Sequence, residues 1–312
     1  MSATNTDNSI VAGRVTIVVP VYNHEHYVIE CIESILTQDY PSIELVVIND
    51  GSPDSSDRVI RDYLKNHPDA FTYISKENEG LVKTLNLGLS VASGEYFCEL
   101  ASDDLLVPGS IKKRVEFMQA QPQLDAMFAD NCLLKDGKAT NERFYGGYKT
   151  GTGFDSSKHT IADLLTKKAR YHIPTGLFKT LQFRNFGGFD PDFRFFEDIS
   201  IRYLFPLQAK IGFLDEAVIY YRIHEGNISK TQRLVALNEK ILGLEKLVDR
   251  LTDEPYATLA RDTLFRSYLR LAKMLLSESG DRRHASEAID KAAAIKPFSP
   301  KVWGWRLRLI GA

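Results

Sequence analysis

The sequence predicts an α/β fold, a mostly parallel sheet between helices, with an all-helical C-terminal extension. Two observations carry this. Short β-branched or aromatic runs alternate with segments of helical periodicity through residue 129. Beyond about Ser229 only helical periodicity remains.

The elements follow in order. Arg14-Val-Thr-Ile-Val-Val-Pro20 is a β-branched run ending at proline and reads as a strand buried on both faces. Tyr27, Cys31, Ile35 and Leu36 recur at helical spacing before Pro41. Ile43-Glu-Leu-Val-Val-Ile48 is a second buried strand, closed by Asn49-Asp-Gly-Ser52; Val59, Ile60, Tyr63 and Leu64 mark the next helix. Phe71-Thr-Tyr-Ile74 is a third strand and residues 81–92 a third helix. Tyr96-Phe-Cys98 opens a fourth strand that leads into Asp103-Asp104; residues 111–119 are helical and Ala126-Met-Phe-Ala129 strand-like.

Such sheets bind ligands outside the carboxyl ends of their strands. Pro20-Val-Tyr-Asn23, Asn49-Asp-Gly-Ser52 and Ser102-Asp-Asp104 each follow a strand, so all three polar clusters belong to one edge. The pattern breaks from 135 to 172, where Gly146-Gly147 and Gly151-Thr-Gly153 predict a flexible loop over that edge. An aromatic stretch from Phe183 to Phe196 follows; buried core is its commoner fate, stacking on sugar faces the other. A helix to Leu207 and strands at Ile211-Gly-Phe-Leu214 and 217–222 complete the domain.

In the extension, Leu234, Leu237, Ile241, Leu244, Val248 and Leu251 repeat at three- and four-residue spacing. That stripe packs on the main domain or forms the seam of a homodimer. Further helices are expected over 256–279 and 284–295; the second resembles a helix of a tetratricopeptide unit, and one unit makes a helical hairpin, not an array. Lys301-Val-Trp-Gly-Trp-Arg-Leu-Arg-Leu-Ile310 mixes Trp, Leu and Arg as interfacial helices do, so it either contacts a membrane peripherally or packs both Trp residues on the hairpin. The expected division is 1–13 disordered, 14–230 the α/β domain, and 231–312 the helical region.

Composition narrows the function. Of 312 residues, 44% are hydrophobic and 26% charged, and the net charge of −2 offers no basic field for nucleic acid. No stretch approaches the roughly 18 consecutive apolar residues of a membrane span. The polar N-terminus has no secretory pattern, and Cys31, Cys98 and Cys132 lack metal or redox spacing. Buried free thiols in the cytoplasm are expected, with the inner membrane face as a peripheral location.

Asp103-Asp104 is the most informative pair. An aspartate before Leu-Leu-Val-Pro-Gly-Ser can open a helix. Adjacent carboxylates also repel, and hard oxygen ligands suit Mg²⁺ or Mn²⁺ on a substrate diphosphate. Helix capping explains neither Asp50 on the same edge nor Glu197-Asp198 further on, so the metal reading is favoured.

Together, Val18-Val-Pro-Val-Tyr-Asn23, Val47-Ile-Asn-Asp-Gly-Ser52, Asn78-Glu-Gly80 with Asn86, and Gly94-Glu-Tyr96 through Ser102-Asp-Asp104 resemble the family 2 glycosyltransferases. These are inverting enzymes of the GT-A fold, which is Rossmann-like. Gly187-Gly-Phe-Asp190, Phe196-Glu-Asp198 and Tyr221-Arg-Ile-His-Glu-Gly-Asn-Ile-Ser229 match downstream signatures. The resemblance covers residues 14–230 and leaves the helical region outside.

It implies roles residue by residue. Pro20, Tyr22 and Asn23 match the first nucleotide-binding turn; a Tyr22 packed in the core is the plainer alternative. Asp50 matches the aspartate that takes the uracil or ribose, and Asn86 belongs with the donor-binding set. Asp103 and Asp104 match the DxD-type metal site, with His224 approaching metal or pyrophosphate. Ala101 stands where many relatives carry a further Asp. Asp198 matches the general base, with Glu197 its neighbour, while Gly188, Asp190 and Thr175-Gly176 shape the acceptor wall.

The function implied is non-processive transfer of a sugar, from a UDP-linked donor, to a saccharide or lipid-linked acceptor in cell-surface polysaccharide or glycoconjugate synthesis. There is no Gln-x-x-Arg-Trp signature of processive synthases. Two other classes stay open: a metal-dependent nucleotidyltransferase, which wants a Gly-rich phosphate loop after the first strand, and a non-catalytic scaffold working through the helical tail.

Overall fold

The computed structural model describes residues 10–144, 158–166, 172–225, 232–252 and 256–311. The glycines of 146–153, residues 1–9 and the end of the 221–229 signature lie outside the described residues.

The parallel half of the sheet is built as the alternation predicts. β1 (Val11–Val21), β2 (Ile43–Asp50), β3 (Thr72–Lys76) and β4 (Gly94–Glu99) run parallel in the order β3-β2-β1-β4. Between them lie α1 (Val28–Leu36), α2 (Ser56–Asn66) and α3 (Leu81–Val91). β1 begins ahead of the expected boundary: Val11 donates its N–H to Ser93 O at 2.8 Å, so residues 11–13 are strand and not disordered.

The other half is mixed. β5 (Leu105–Leu106), α4 (Ser110–Ala120), β6 (Ala126–Lys135) and β7 (Lys138–Arg143) precede α5 (Lys158–Leu165). β8 (Leu177–Lys179), α6 (Thr180–Phe186), α7 (Asp198–Leu204) and β9 (Ile211–Arg222) follow. β8 inserts antiparallel between β4 and β6, and β9 pairs parallel with β6. The two strands expected at 211–222 are one, because register shifts opposite Ala129–Asn131 absorb the polar Asp215-Glu216 interruption.

Successive strand residues serve opposite faces. Val15, Ile17 and Val19 of β1 meet α1, α2 and α4, whereas Val18 joins Phe97 and Phe128 on the face carrying α3, α6 and α7. The second core continues without a break into the C-terminal helices α8 (Arg233–Arg250), α9 (Tyr256–Met274), α10 (Arg282–Ile295) and α11 (Pro300–Gly311).

The heptad stripe is consumed within the chain. Leu237, Ile241, Leu244 and Leu251 are buried, and α8 lies on α7 and α9. That contact needs a glycine: a Cβ on Gly243 would meet Ile199 Cγ2 at 2.5 Å. The homodimer seam read as an alternative is therefore not available on this helix, since its apolar side already faces the domain.

Candidate active site

The predicted edge exists, and backbone turns hold it together. Ser52 Oγ donates to Asn49 Oδ1 (2.6 Å) and accepts the N–H of Asn23 (3.2 Å), which stitches the end of β2 to the turn after β1. Asn23 takes φ 59, a conformation asparagine tolerates better than most residues. Pro20 sits at the rim, and Tyr22 is 49% exposed, so its ring is presented to solvent and not packed in the core.

Asp50 is buried, and both of its oxygens are engaged. Oδ1 accepts from Lys76 Nζ and from Glu79 N (2.9 Å), and Oδ2 accepts from Gly80 N (2.9 Å). Burial alone would raise its pKa; these three donors outweigh it and hold the carboxyl below its usual range. Gly51 lets the chain pass, with φ +64 and Asn78 N only 2.6 Å from where a Cβ would sit. The carboxylate therefore shapes the 77–80 loop first, and any base or ribose contact uses its remaining lone pairs.

Asn86 has a different task from the one expected. Its Nδ2 donates to Phe189 O (2.7 Å) and its Oδ1 accepts Phe189 N (3.0 Å), clamping the Gly187-Gly188 turn to α3. Its first task is therefore structural, and any donor contact uses the remaining N–H or lone pair. Thr175 is likewise structural: it donates to His172 O (2.6 Å) and accepts Ala129 N (3.3 Å).

The acidic pair divides. Asp103 Oδ2 lies 2.9 Å from His224 Nε2, and one ligand atom from each of His24, Asp103 and His224 lies within 4.8 Å of the other two. Asp104 is not brought into this group. Its Oδ1 accepts the N–H of Arg222 (2.8 Å), and its Oδ2 is buried without a hydrogen-bond partner among the described residues. Burial, then the Asp103 charge, pushes the Asp104 carboxyl well up. A cation beside the pair relieves that repulsion, and an imidazole–carboxylate donor set suits a divalent ion, so the residues fit a metal. Asp103 thus joins the two histidines, while Asp104 keeps one oxygen on the Arg222 backbone and one without a partner among the described residues.

His24 was not anticipated. Its Nδ1 lies 2.7 Å from Ser102 Oγ, and burial lowers its pKa, partly offset by Asp103. Its only sequence signal is its place, one residue past the nucleotide turn.

The base candidates lie on the same edge. Asp198 opens α7 and pairs with Arg202 one turn on. Glu197 precedes it; burial, then Glu99 and Asp198, pushes its pKa well up. Glu99, at the end of β4, is buried, and burial followed by the Asp198 charge raises it to about 8. Sequence reading missed Glu99, although a charged residue inside the apolar run Tyr96-Phe-Cys-Glu-Leu100 is its signal. His172 was missed too; burial lowers it to about 4 despite the opposing charge of Asp198.

The loop 190–196 is carried by the C-terminal region. Glu239 on α8 accepts the N–H groups of Arg194 (3.1 Å), Phe195 (3.2 Å) and Phe196 (2.9 Å), and Lys246 bridges Asp190 and Asp192 at 2.6 Å each. Asp190 is thus a tether and not an acceptor wall. A groove of about 740 Å³ lined by Leu276, Arg282, Trp305 and Leu309 lies on this region, away from the carboxylate edge, and offers no acid for the chemistry.

A half-parallel α/β sheet with a His/Asp cluster and a helix-opening acid on one edge is the arrangement that the sequence resemblance leads one to expect. Residues 16–176 match the sequence family described as Glycosyl transferase family 2, and the chain belongs to that family. An uncharacterized glycosyltransferase of Rickettsia typhi is 30% identical over 225 residues, covering 72% of this chain and 67% of its own. The minor teichoic acid biosynthesis protein GgaB of Bacillus subtilis is 28% identical over 224 residues, covering 70% of this chain and 24% of its own. In fold, the chain is similar to S. aureus TarS 1-349 in complex with UDP-GlcNAc (TM-score 0.61, 17% identity, 90% and 81% covered). It is also similar to mannosyltransferase PcManGT of Pyrobaculum calidifontis in complex with GDP-Man and Mn²⁺ (0.58, 20%, 96% and 86%). The enzyme is a glycosyltransferase with a GT-A-like fold and a helical C-terminal region.

Proposed function

We propose that this glycosyltransferase transfers a sugar with inversion from a nucleotide-sugar donor to a saccharide or lipid-linked acceptor of a cell-surface polysaccharide. The observation that carries it is the placement of Asp103 with His224 at one end of a carboxylate edge and Asp198 at the other. A UDP-linked donor and a divalent cation are the favoured pair, by analogy with the ligands named for the two structural neighbours.

In this reading Tyr22 and Asn23 border the base, and the loop held by Asp50 borders the ribose. Asp103 and His224 would hold the metal, and a bound divalent ion stabilises charge on the departing diphosphate. Asp198 accepts the acceptor hydroxyl's proton while that oxygen bonds to the anomeric carbon and the carbon–diphosphate bond breaks on the opposite side. Burial pushes the Glu99 carboxyl up to about 8 and the Glu197 carboxyl upward, whereas Asp198 is paired with Arg202, which favours Asp198 among the three neighbouring acids as the base.

The outward side of α11 suits a lipid-linked acceptor. Val302 is buried against the helical region, while Trp303 (57% exposed) and Leu307 (69%) face outward with Lys301 and Arg308 exposed beside them. Peripheral attachment at the cytoplasmic membrane face follows, and the three buried free cysteines suit a reducing compartment. The nucleotidyltransferase reading has no support at the turn after β1, which carries Tyr22-Asn23-His24 and no Gly-rich cradle.

Calorimetric titration with UDP, with and without Mn²⁺, followed by a nucleotide-sugar hydrolysis panel, tests the proposal. UDP binding strengthened by Mn²⁺ is expected; no UDP binding in either condition would overturn it.

A further inference from the structure

We propose that His24 is a third protein ligand to the catalytic metal, making a two-imidazole, one-carboxylate site that prefers Mn²⁺ to Mg²⁺. The inference rests on the transferase reading above and adds a residue and a selectivity to it.

The three side chains come from separate segments: the turn after β1, the turn after β4, and the end of β9. Their ligand atoms lie within 4.8 Å of one another. Neighbouring ligands of one ion at about 2.1 Å lie roughly 3 Å apart; Asp103 Oδ2 and His224 Nε2 already do, at 2.9 Å, and His24 has to close in when an ion binds. The rings of His24 and His224 stand edge to face, centroids 6.1 Å apart and planes at 84°, and so are not stacked on each other.

The supporting shell is built as well. Ser102 Oγ, 2.7 Å from His24 Nδ1, fixes that ring's rotation, a role hydrogen-bond partners commonly play for metal-binding histidines. The His224 ring lies against Tyr27, with centroids 5.2 Å apart, and the Arg222 guanidinium caps the other ring at 4.9 Å. The His24 ring also stands edge-on to Tyr27, centroids 5.9 Å apart, so the same aromatic borders both imidazoles.

The ligand types set the preference. Mg²⁺ demands oxygen in near-octahedral geometry and gives up water reluctantly, whereas imidazole suits transition ions. With one carboxylate and two nitrogens, the site offers Mg²⁺ a poor protein share.

The test uses the full chain with UDP and Mn²⁺. Pulsed EPR of the complex is expected to show two directly bound imidazole nitrogens. His24→Phe, which keeps ring volume, is expected to lose one of them and weaken Mn²⁺ about tenfold, the lower end of what a lost metal partner costs. Metal-free UDP binding should stay within twofold, and Mg²⁺ in tenfold excess should not displace Mn²⁺ from the wild type. One nitrogen in the wild type, or unchanged Mn²⁺ affinity in the variant with UDP binding intact, overturns the His24 assignment alone. Wild type that binds neither UDP nor Mn²⁺ overturns the transferase reading with it.

Discussion

Glu239, on the first helix of the C-terminal region, accepts the N–H of Phe196 at 2.9 Å, two residues before Asp198. The helical extension thereby holds the loop that leads into the proposed base. Glu239→Ala strips three backbone donors of their acceptor, and each buried donor left alone costs about 1–3 kcal/mol. A loop shifted by 1 Å at the base costs about 100-fold in rate. Turnover in E239A is expected to fall on that order while UDP affinity holds, which steady-state kinetics beside calorimetry would measure. Equal losses of UDP binding and turnover would mean the loop also shapes the donor site.

Asp198→Asn removes the proton acceptor and keeps the helix-opening geometry. UDP and Mn²⁺ affinity should be unchanged, with transfer reduced about 10²–10⁴-fold, the usual share of a general base. Turnover close to wild type would move the base to Glu197, the next acid on that loop.

Much of this site was legible because strand ends are marked by polar residues after apolar runs. Asn49-Asp-Gly-Ser52 and Ser102-Asp-Asp104 fall where expected, since the parallel β3-β2-β1-β4 half follows from local periodicity. What periodicity lacks is pairing across distance. The clamp of Asn86 on the Phe189 backbone, far along the chain, is invisible to it. One oxygen of Asp104 is taken by the N–H of Arg222, more than a hundred residues on. His24 and Glu99 were hidden for the same reason: their partners, Asp103 and Asp198, lie on other segments of the chain.

Glu99 makes stability depend on pH. Its folded pKa is about 8, above the ordinary glutamate value of 4.5. Below pH 4.5 both states hold the proton; as pH rises toward 8, the unfolded chain ionises and the folded one resists, so stability is lost across that window. Glu99→Gln, a mimic of the protonated acid, should match the wild type in thermal midpoint near pH 4.5 and exceed it at pH 8. Parallel melting curves across the range would rule out the shifted acid. His172 acts on the acid side: its folded pKa of about 4 lies below 6.5, so stability falls as pH drops through that interval.

The outward face of α11 yields a separable test. Trp305 packs partly inward, with Arg308 over its ring at 5.0 Å, whereas Trp303 and Leu307 face solvent, and Phe298 just before the helix is 90% exposed. Fully burying one such apolar side chain contributes about 1.5–3 kcal/mol, and each basic residue near an anionic surface about 1 kcal/mol. Two outward apolar residues with Lys301 and Arg308 therefore suffice for reversible attachment without a spanning helix, and among the described residues no helix is long and apolar enough to span. Trp303→Ser with Leu307→Ser should sharply reduce co-sedimentation with phosphatidylglycerol-containing vesicles while leaving UDP binding and melting unchanged, because neither residue faces the core. Raising salt should weaken the wild type as well, through the Lys301 and Arg308 contribution. Undiminished sedimentation of the double variant would show that this face meets something other than lipid.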